Sequence, residues 1–220
     1  MKPLVDLLVF GGAFDPPHIG HTTVVEQVLV ENIAQKVVLM PVGQHPFNKF
    51  LSPQKNRLEL IELAFSELLK TFPERLNIDT YEIQQRAITY TYDTVLHLQK
   101  EQPGKKLGLL IGSDNVVNFG KWKYGKEILE ICTILVYPRA GYLVKEGDLI
   151  QGMQLLSQVS QVTASSTVIR EEIAKLSAIG DLRSTSDIAQ LKSSLLLEQL
   201  DPKVLSYIKD HLLDHYQKKT

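Results

Sequence analysis

An apolar run, Leu4 to Phe10, gives way to Gly11 Gly12 Ala13 Phe14 Asp15 Pro16 Pro17 His18 Ile19 Gly20 His21, after which a helical pattern begins. Strand, tight turn and helix in that order restrict the fold more than any other stretch of the chain. A buried strand ending in glycines lets backbone N–H groups approach an anion closely, and the helix that opens there adds the positive end of its dipole. Asp15, Pro16 and Pro17 make the turn rigid. His18 and His21 are three apart, so a helix whose first turn includes both puts them on one face, where they can donate to the same phosphate chain. A packing role would not require two such donors beside a glycine turn. We read the stretch as a nucleotide-phosphate site lined by Gly11, Gly12, Ala13, Phe14 and Gly20, with His18 and His21 as its working side chains.

The rest of the chain alternates short apolar strands with longer helical patterns, the signature of right-handed βαβ units around a parallel sheet. Leu4 to Phe10, Lys36 to Met40, Leu107 to Ile111 and Thr133 to Tyr137 read as strands; Leu76 to Tyr81 reads as another and Gln158 to Val162 as a sixth. Thr22 to Asn32, Lys55 to Leu69 and Thr91 to Gln99 carry apolar residues at helical spacing. Glu171 to Leu176 continues a helix, Ser177 to Ser186 reads as a loop, and Asp187 to Leu200 and Pro202 to Tyr216 read as helices, with Asp201 as N-cap and proline at the first helical position. The expected fold is α/β: a Rossmann-like, doubly wound, mainly parallel sheet with helices on both faces and a helical C-terminal extension. With 220 residues the chain suits one domain, 1–220, divided into a nucleotide-binding core (1–176) and a helical C-terminal part (177–220) that holds an insertion.

Charge narrows the ligand. Lys and Arg total 24 against 25 Asp and Glu, with no dominant run of one sign, so neither a nucleic-acid arm nor an acidic tail is expected and the partner should be a small molecule. The single cysteine, Cys132, sits in an apolar stretch and reads as core. Asp6 interrupts the N-terminal apolar run and no small-residue cleavage site follows it; no run approaches the roughly 20 apolar residues of a membrane span. A cytoplasmic protein without membrane partners is expected. Oligomeric state is not legible in the sequence.

A second helix start, Ala164 Ser165 Ser166 Thr167 Val168 Ile169 Arg170, follows the last apolar run. Ser165, Ser166 and Thr167 can cap a helix while their hydroxyl and N–H groups face an anion, and Arg170 lies one turn on. An ordinary capped helix has the same pattern; beside the first motif, it makes a second cradle for one polyphosphate. Lys49, in the loop after the second strand, can neutralise phosphate as a point cation or simply lie on the surface. Gly112 Ser113 Asp114 follows the strand ending at Ile111, where open α/β sheets bind ligands; Asp114 could hold a ribose hydroxyl, cap a helix, or both. Trp122 could stack on an aromatic ring or fill the core.

The patterns of a P-loop, of a Gly-x-Gly-x-x-Gly turn after a strand, of a Cys/His zinc site and of an acyl-transfer triad are not found in the sequence. Nucleotidyl transfer fits better. A phosphate attacking the α-phosphorus of a nucleoside triphosphate is already anionic and needs no protein base, so catalysis can rest on alignment and on cations that balance charge on the leaving pyrophosphate. His18, His21, Lys49 and Arg170 suit that work.

These residues resemble a known family. The first motif is similar to the Gly-x-Phe-Asp-Pro-x-His-x-Gly-His signature of the nucleotidyltransferase superfamily, and Ser165 to Arg170 resembles its Ser/Thr-Ser/Thr-x-x-Arg partner. More locally the chain resembles bacterial nicotinate-mononucleotide adenylyltransferases: Thr89 Tyr90 Thr91 Tyr92 Asp93 Thr94, Gly112 x Asp114 with Trp122, the arginine-containing turn at Val136 to Gly141, and Pro202 x Val204 x x Tyr207 Ile208 x x His211 each have a counterpart there. The resemblance implies adenylyl transfer from ATP to nicotinate mononucleotide, with magnesium accompanying the ATP, to give pyrophosphate and the deamido precursor of NAD. It implies that His18 and His21 contact ATP phosphates, that Arg170, Ser166 and Thr167 hold the triphosphate, that Asp114 lies near a nucleotide sugar, and that Thr89, Tyr90, Thr91, Trp122 and Arg139 serve the acceptor. The sequence departs from the family at Ala13, where a serine is usual, at Asn48 in the loop that keeps Lys49, and in about twenty added residues between Ser177 and Leu197.

His18 Ile19 Gly20 His21 also spells the motif of class I aminoacyl-tRNA synthetases, which predicts a Lys-Met-Ser-Lys-Ser loop and a tRNA-binding domain; the sequence has neither. Nicotinamide mononucleotide and phosphopantetheine are alternative acceptors, and Tyr90 to Thr94 with Trp122 favour a pyridine nucleotide. A non-catalytic nucleotide sensor would not need His18, His21, Lys49 and Arg170 together.

Overall fold

A computed structural model describes residues 2–44, 51–178, 182 and 194–217. Among them the chain runs β1 (Val5–Gly12), α1 (Ile19–Val30), β2 (Ala34–Pro41), α2 (Gln54–Ala64), α3 (Ser66–Thr71), β3 (Leu76–Ile78), α4 (Tyr81–Gln84), α5 (Thr91–Glu101), β4 (Leu107–Gly112), α6 (Ser113–Val116), α7 (Gly125–Ile131), β5 (Thr133–Tyr137), β6 (Met153–Leu155), α8 (Ser166–Ala178), α9 (Ser194–Gln199), α10 (Pro202–His211) and α11 (Leu213–Gln217). Two compact units form: Met1–Gly12, Thr23–Asn48 and Leu68–Thr163 make the first, and Ala13–Thr22, Lys49–Glu67 and Ala164–Thr220 the second.

The first unit holds the doubly wound sheet expected from the sequence. Its strand order is β3-β2-β1-β4-β5-β6 and every pairing is parallel. Order reverses between β1 and β4, and the register Leu7↔Leu107 to Val9↔Leu109 sets their carboxyl ends side by side. Such a switch point is where open α/β sheets present ligand sites. Val9, Leu109, Ile111, Ile134 and Val136 pack in one core with Val95 and Leu98 of α5 and Ile128 of α7. The alternate residues Leu8, Phe10, Leu110 and Leu135 are buried as well, so both faces of the sheet are covered, which is why these strands read as continuous apolar runs rather than alternating ones. Gly108 lets β4 approach β1: a Cβ there would lie 2.8 Å from Leu8 Cδ1 and 3.0 Å from a Val5 methyl.

Two elements differ from their sequence expectation for identifiable reasons. The sixth strand is Met153–Leu155, paired with β5 through Ile134↔Met153, and not Gln158 to Val162. Val159 and Val162 are buried, but three residues apart they lack the period of two that a strand needs; Val162 forms only an isolated bridge with Arg139. The strand expected at Leu76 to Tyr81 stops at Ile78, because Asp79 Oδ1 accepts from Tyr81 N–H at 2.8 Å and turns the chain into α4.

The second unit is helical, with Leu60 of α2, Ile169 and Ile173 of α8, and Val204, Ile208 and Tyr216 of the last two helices in one core. The helix expected at Lys55 to Leu69 divides at Phe65 (φ −96°, ψ 7°), whose ring is fully buried. The one expected at Pro202 to Tyr216 divides at Leu212 (φ −131°, ψ 1°), also buried. In both cases burial of the side chain fixes the backbone where helical spacing alone would have continued it. Asp201 caps α10 as expected, its Oδ1 accepting from Lys203 N–H at 2.7 Å. α8 continues through Ser177, where a loop was expected; 179–181 and 183–193 of the expected loop and helix lie outside the described residues.

Candidate active site

β1 keeps both glycines in its ladder, Gly11 opposite Met40 and Gly12 opposite Pro41. The turn therefore begins at Ala13. Its left-handed residue is Phe14 (φ 48°) rather than either of these glycines, and the Asp15–Pro16 peptide is cis. A phenylalanine holds that conformation because its ring is 1% exposed and wedged edge-on against Phe65 and His21. Gly11 and Gly12 thus belong to the strand, and packing makes the turn.

α1 opens one residue after His18, three earlier than the helical spacing indicated. The His18 carbonyl accepts from His21 N–H at 2.9 Å, and His18 N–H donates to His21 Nδ1 at 3.1 Å. A ring nitrogen that accepts carries no proton, so neutral His21 holds its proton on Nε2, the atom on the far side of the ring. The two imidazoles stack with centroids 3.7 Å apart and planes 24° off parallel. His18 is buried and His21 half-buried.

The second helix start meets this turn. Ser166, the first residue of α8, donates its hydroxyl to the Pro16 carbonyl at 2.9 Å; the carbonyl that starts the helix is that of Ser165, accepting from Ile169 N–H. The Ser166 hydroxyl therefore joins α8 to the turn. Arg170 divides its guanidinium, one nitrogen donating to the Asp15 carbonyl at 2.6 Å and another to Thr167 Oγ1 at 3.2 Å. His18, His21, Ser166, Thr167 and Arg170 are thereby gathered round Asp15 and Pro16 within the second unit. Lys49 lies outside the described residues.

Ser52, Arg57 and Tyr216, which no sequence motif marks, hold this turn. Asp15 is fully buried and accepts from the Ser52 hydroxyl (2.6 Å), the Ser52 N–H (2.9 Å) and the Tyr216 hydroxyl (2.8 Å). Arg57, 1% exposed, donates to the carbonyls of Ala13 and Ser52 at 3.1 and 3.2 Å. Burial and the neighbouring Asp15 charge hold the Tyr216 phenol well above its ordinary range, so it stays a donor. The available signal was Arg57 itself: a cation in register with Leu60 and Ile61 on the apolar face of α2 must find acceptors inside.

The first unit carries the other expected site residues. Gly112 is the N-cap of α6, so Asp114 does not cap it; its Oδ2 pairs with Arg139 Nη1 at 3.4 Å instead. Ser113 Oγ accepts from Arg139 N–H at 2.9 Å and donates to the Tyr142 carbonyl at 2.7 Å, which fixes the turn after β5 against the end of β4. Thr89 is buried, Tyr90 is the N-cap of α5, and Asp93 accepts from Tyr90 N–H at 3.0 Å. The Lys123 ammonium lies 4.0 Å above the Tyr90 ring. Trp122 is half-buried, with its ring 5.2 Å from that of Phe119 at the edge of the core.

Residues 9–172 match the model of the cytidylyltransferase-like family. An Aquifex aeolicus protein named "Probable nicotinate-nucleotide adenylyltransferase" is 36% identical over 145 residues, 66% of this chain and 83% of that protein. One of the same name from Aliarcobacter butzleri is 30% identical over 168 residues, 76% of this chain and 87% of that protein. In fold, the chain is similar to Plasmodium falciparum nicotinic acid mononucleotide adenylyltransferase complexed with NaAD, with a TM-score of 0.73 over 97% of this chain and 98% of that one at 19% identity.

Proposed function

The chain belongs to the cytidylyltransferase-like family, among relatives named for nicotinate-nucleotide adenylyl transfer, and from that premise we propose that it transfers the adenylyl group of ATP to nicotinate mononucleotide, releasing pyrophosphate and forming nicotinate adenine dinucleotide. The observation that carries the chemistry is the stacked pair His18 and His21 at the opening of α1, with Arg170 bonded to the same turn.

The acceptor phosphate oxygen attacks the α-phosphorus and the bond to the bridging oxygen of pyrophosphate breaks, so negative charge grows on the leaving group. No proton need be removed from the nucleophile. The protein's part is to hold the triphosphate still and to meet that charge with donors already in place. His21 Nε2–H, the Arg170 guanidinium and the first N–H groups of α1 are such donors, and Lys49 is assigned to the same charge from its place in the sequence. Magnesium enters as part of the substrate, on ATP. Thr89, Tyr90, Thr91, Trp122 and Arg139 are assigned to the acceptor, and Asp114 to a nucleotide sugar, with Arg139 holding Asp114 in place. Among the described residues no helix is long and apolar enough to cross a membrane, and we place the reaction in the cytoplasm, where ATP is supplied.

The test is pyrophosphate release from magnesium-ATP with nicotinate mononucleotide, nicotinamide mononucleotide or phosphopantetheine offered separately. A strong preference for the first supports the reading. Release with another acceptor alone moves the substrate, and release with none removes the activity.

A further inference from the structure

The carboxylate of Asp15 stands three residues before His18 in the turn assigned to phosphate, where an anion is at first sight the wrong group. Its surroundings account for it. Three donors, the Ser52 hydroxyl, the Ser52 N–H and the Tyr216 hydroxyl, converge on its two oxygens, and both Asp15 and Tyr216 are 0% exposed. A buried carboxylate with this many donors has its charge spread and its position fixed. Nearby, Arg57 holds the Ala13 carbonyl and Arg170 the carbonyl of Asp15 itself. The backbone leading into His18 is therefore clamped by side chains from well-separated parts of the chain, and one of them, Tyr216, comes from its last described helix.

We infer that Tyr216 is a positioning residue of the phosphate site, fixing the Asp15 to His18 turn through the Asp15 carboxylate and with it the placement of the His18 and His21 rings. The inference rests on the reading of that pair as phosphate-binding. It makes α11 a working part of the site rather than a cover for the helical core. Loss of the hydroxyl leaves Asp15 one donor short in a buried place, and the turn must shift to recover one; the remaining ring still fills its space, so the core is kept.

Tyr216→Phe tests this against Tyr207→Phe, a control from α10 whose hydroxyl accepts from Asn56 Nδ2 at 3.1 Å and does not touch the turn. The ring-nitrogen resonances of His18 and His21 should move in Tyr216→Phe and stay in Tyr207→Phe. In turnover with magnesium-ATP and nicotinate mononucleotide, kcat of Tyr216→Phe should fall about tenfold or more with the KM for ATP changed less than about threefold, as expected for misplaced groups. Added to His21→Ala, Tyr216→Phe should cost less than it does in the wild type, since only His18 is left to be misplaced. Ser52→Ala, which removes a donor to the same oxygen, should act in the same direction if Tyr216→Phe folds poorly. Unmoved histidine resonances, an unchanged kcat, or an undiminished loss in the His21→Ala background would each overturn the inference. Resonances that move in a chain whose wild type shows no adenylyl transfer would keep the positioning role and remove the proposed reaction.

Discussion

Arg170 donates a 2.6 Å hydrogen bond to the carbonyl of Asp15, 155 residues earlier, while its other arm reaches Thr167 Oγ1. The side chain thus ties the start of α8 to the turn before α1, which a planar, forked cation can do and a point charge cannot. Arg170→Lys should lose most of what Arg170→Ala loses, a fall of about tenfold or more in kcat/KM for ATP, because a lysine is a point charge without the fork. Steady-state kinetics of both variants decide it; a lysine variant near wild type would mean that charge alone suffices.

His21 accepts at Nδ1 and so presents Nε2–H as a fixed donor. His21→Ala should lower kcat by about 10² to 10³, the range for removing one preorganised donor from a charge-developing site. The fold should be kept, with a thermal midpoint lowered by the lost acceptor of His18 N–H and the lost Phe14 contact. Near-normal turnover would take the pair out of the mechanism.

The sequence showed the sheet and the two helix starts because both are local: apolar runs set strands, and Gly, Pro, Ser and Thr punctuate them. What holds the turn was less legible. Ser52, Arg57 and Tyr216 reach Asp15 and Ala13 from 37, 44 and 201 residues away, and no spacing rule links such positions. Asp114 shows the same limit in reverse. Its place after Gly112 fits a cap, yet a partner 25 residues on takes the side chain. Phe14 shows a third: no local pattern marks it as the left-handed residue, which burial of its aromatic ring imposes.

Trp122 lies against Phe119 at the core's edge with one side toward solvent. Trp122→Ala should raise the KM for the pyridine nucleotide more than that for ATP, since stacking on an aromatic base is worth about 0.5–1.5 kcal/mol beyond area burial. Parallel KM measurements check it. An unchanged acceptor KM, with a lowered thermal midpoint, would return Trp122 to the core.

Gly112 stands directly beneath the Asp114–Arg139 pair. A Cβ on it would come within 2.6 Å of Arg139 Cδ and collide with Asp114 Oδ1. Gly112→Ala should therefore separate the pair and lower kcat/KM for both substrates. The ion pair itself, about three-quarters buried, contributes little to stability, so any stability cost comes from the collision of the added methyl, about 1–3 kcal/mol. Activity intact with a displaced Arg139 would show that neither charge matters to the reaction.

Cys132 closes α7 with its thiol buried, donating weakly to the Ile128 carbonyl, and burial pushes its pKa up from 9.0 to about 12. The thiolate is the reactive form, so iodoacetamide at pH 8 should leave the folded protein unlabelled and modify the chain fully in denaturant. The same shift predicts a stability slope. The folded state keeps its proton above the pH at which the unfolded thiol loses it, so the contribution is whole below about pH 9 and is lost as pH rises toward 12. Cys132→Ala removes that term. Between pH 9 and about 11 the wild type should lose stability more steeply than the alanine variant in denaturant titrations, while at neutral pH the two should turn over substrate at similar rates. Rapid labelling of the folded protein, or equal slopes, would mean that the thiol is reached by water and that the wall between α7 and the sheet opens.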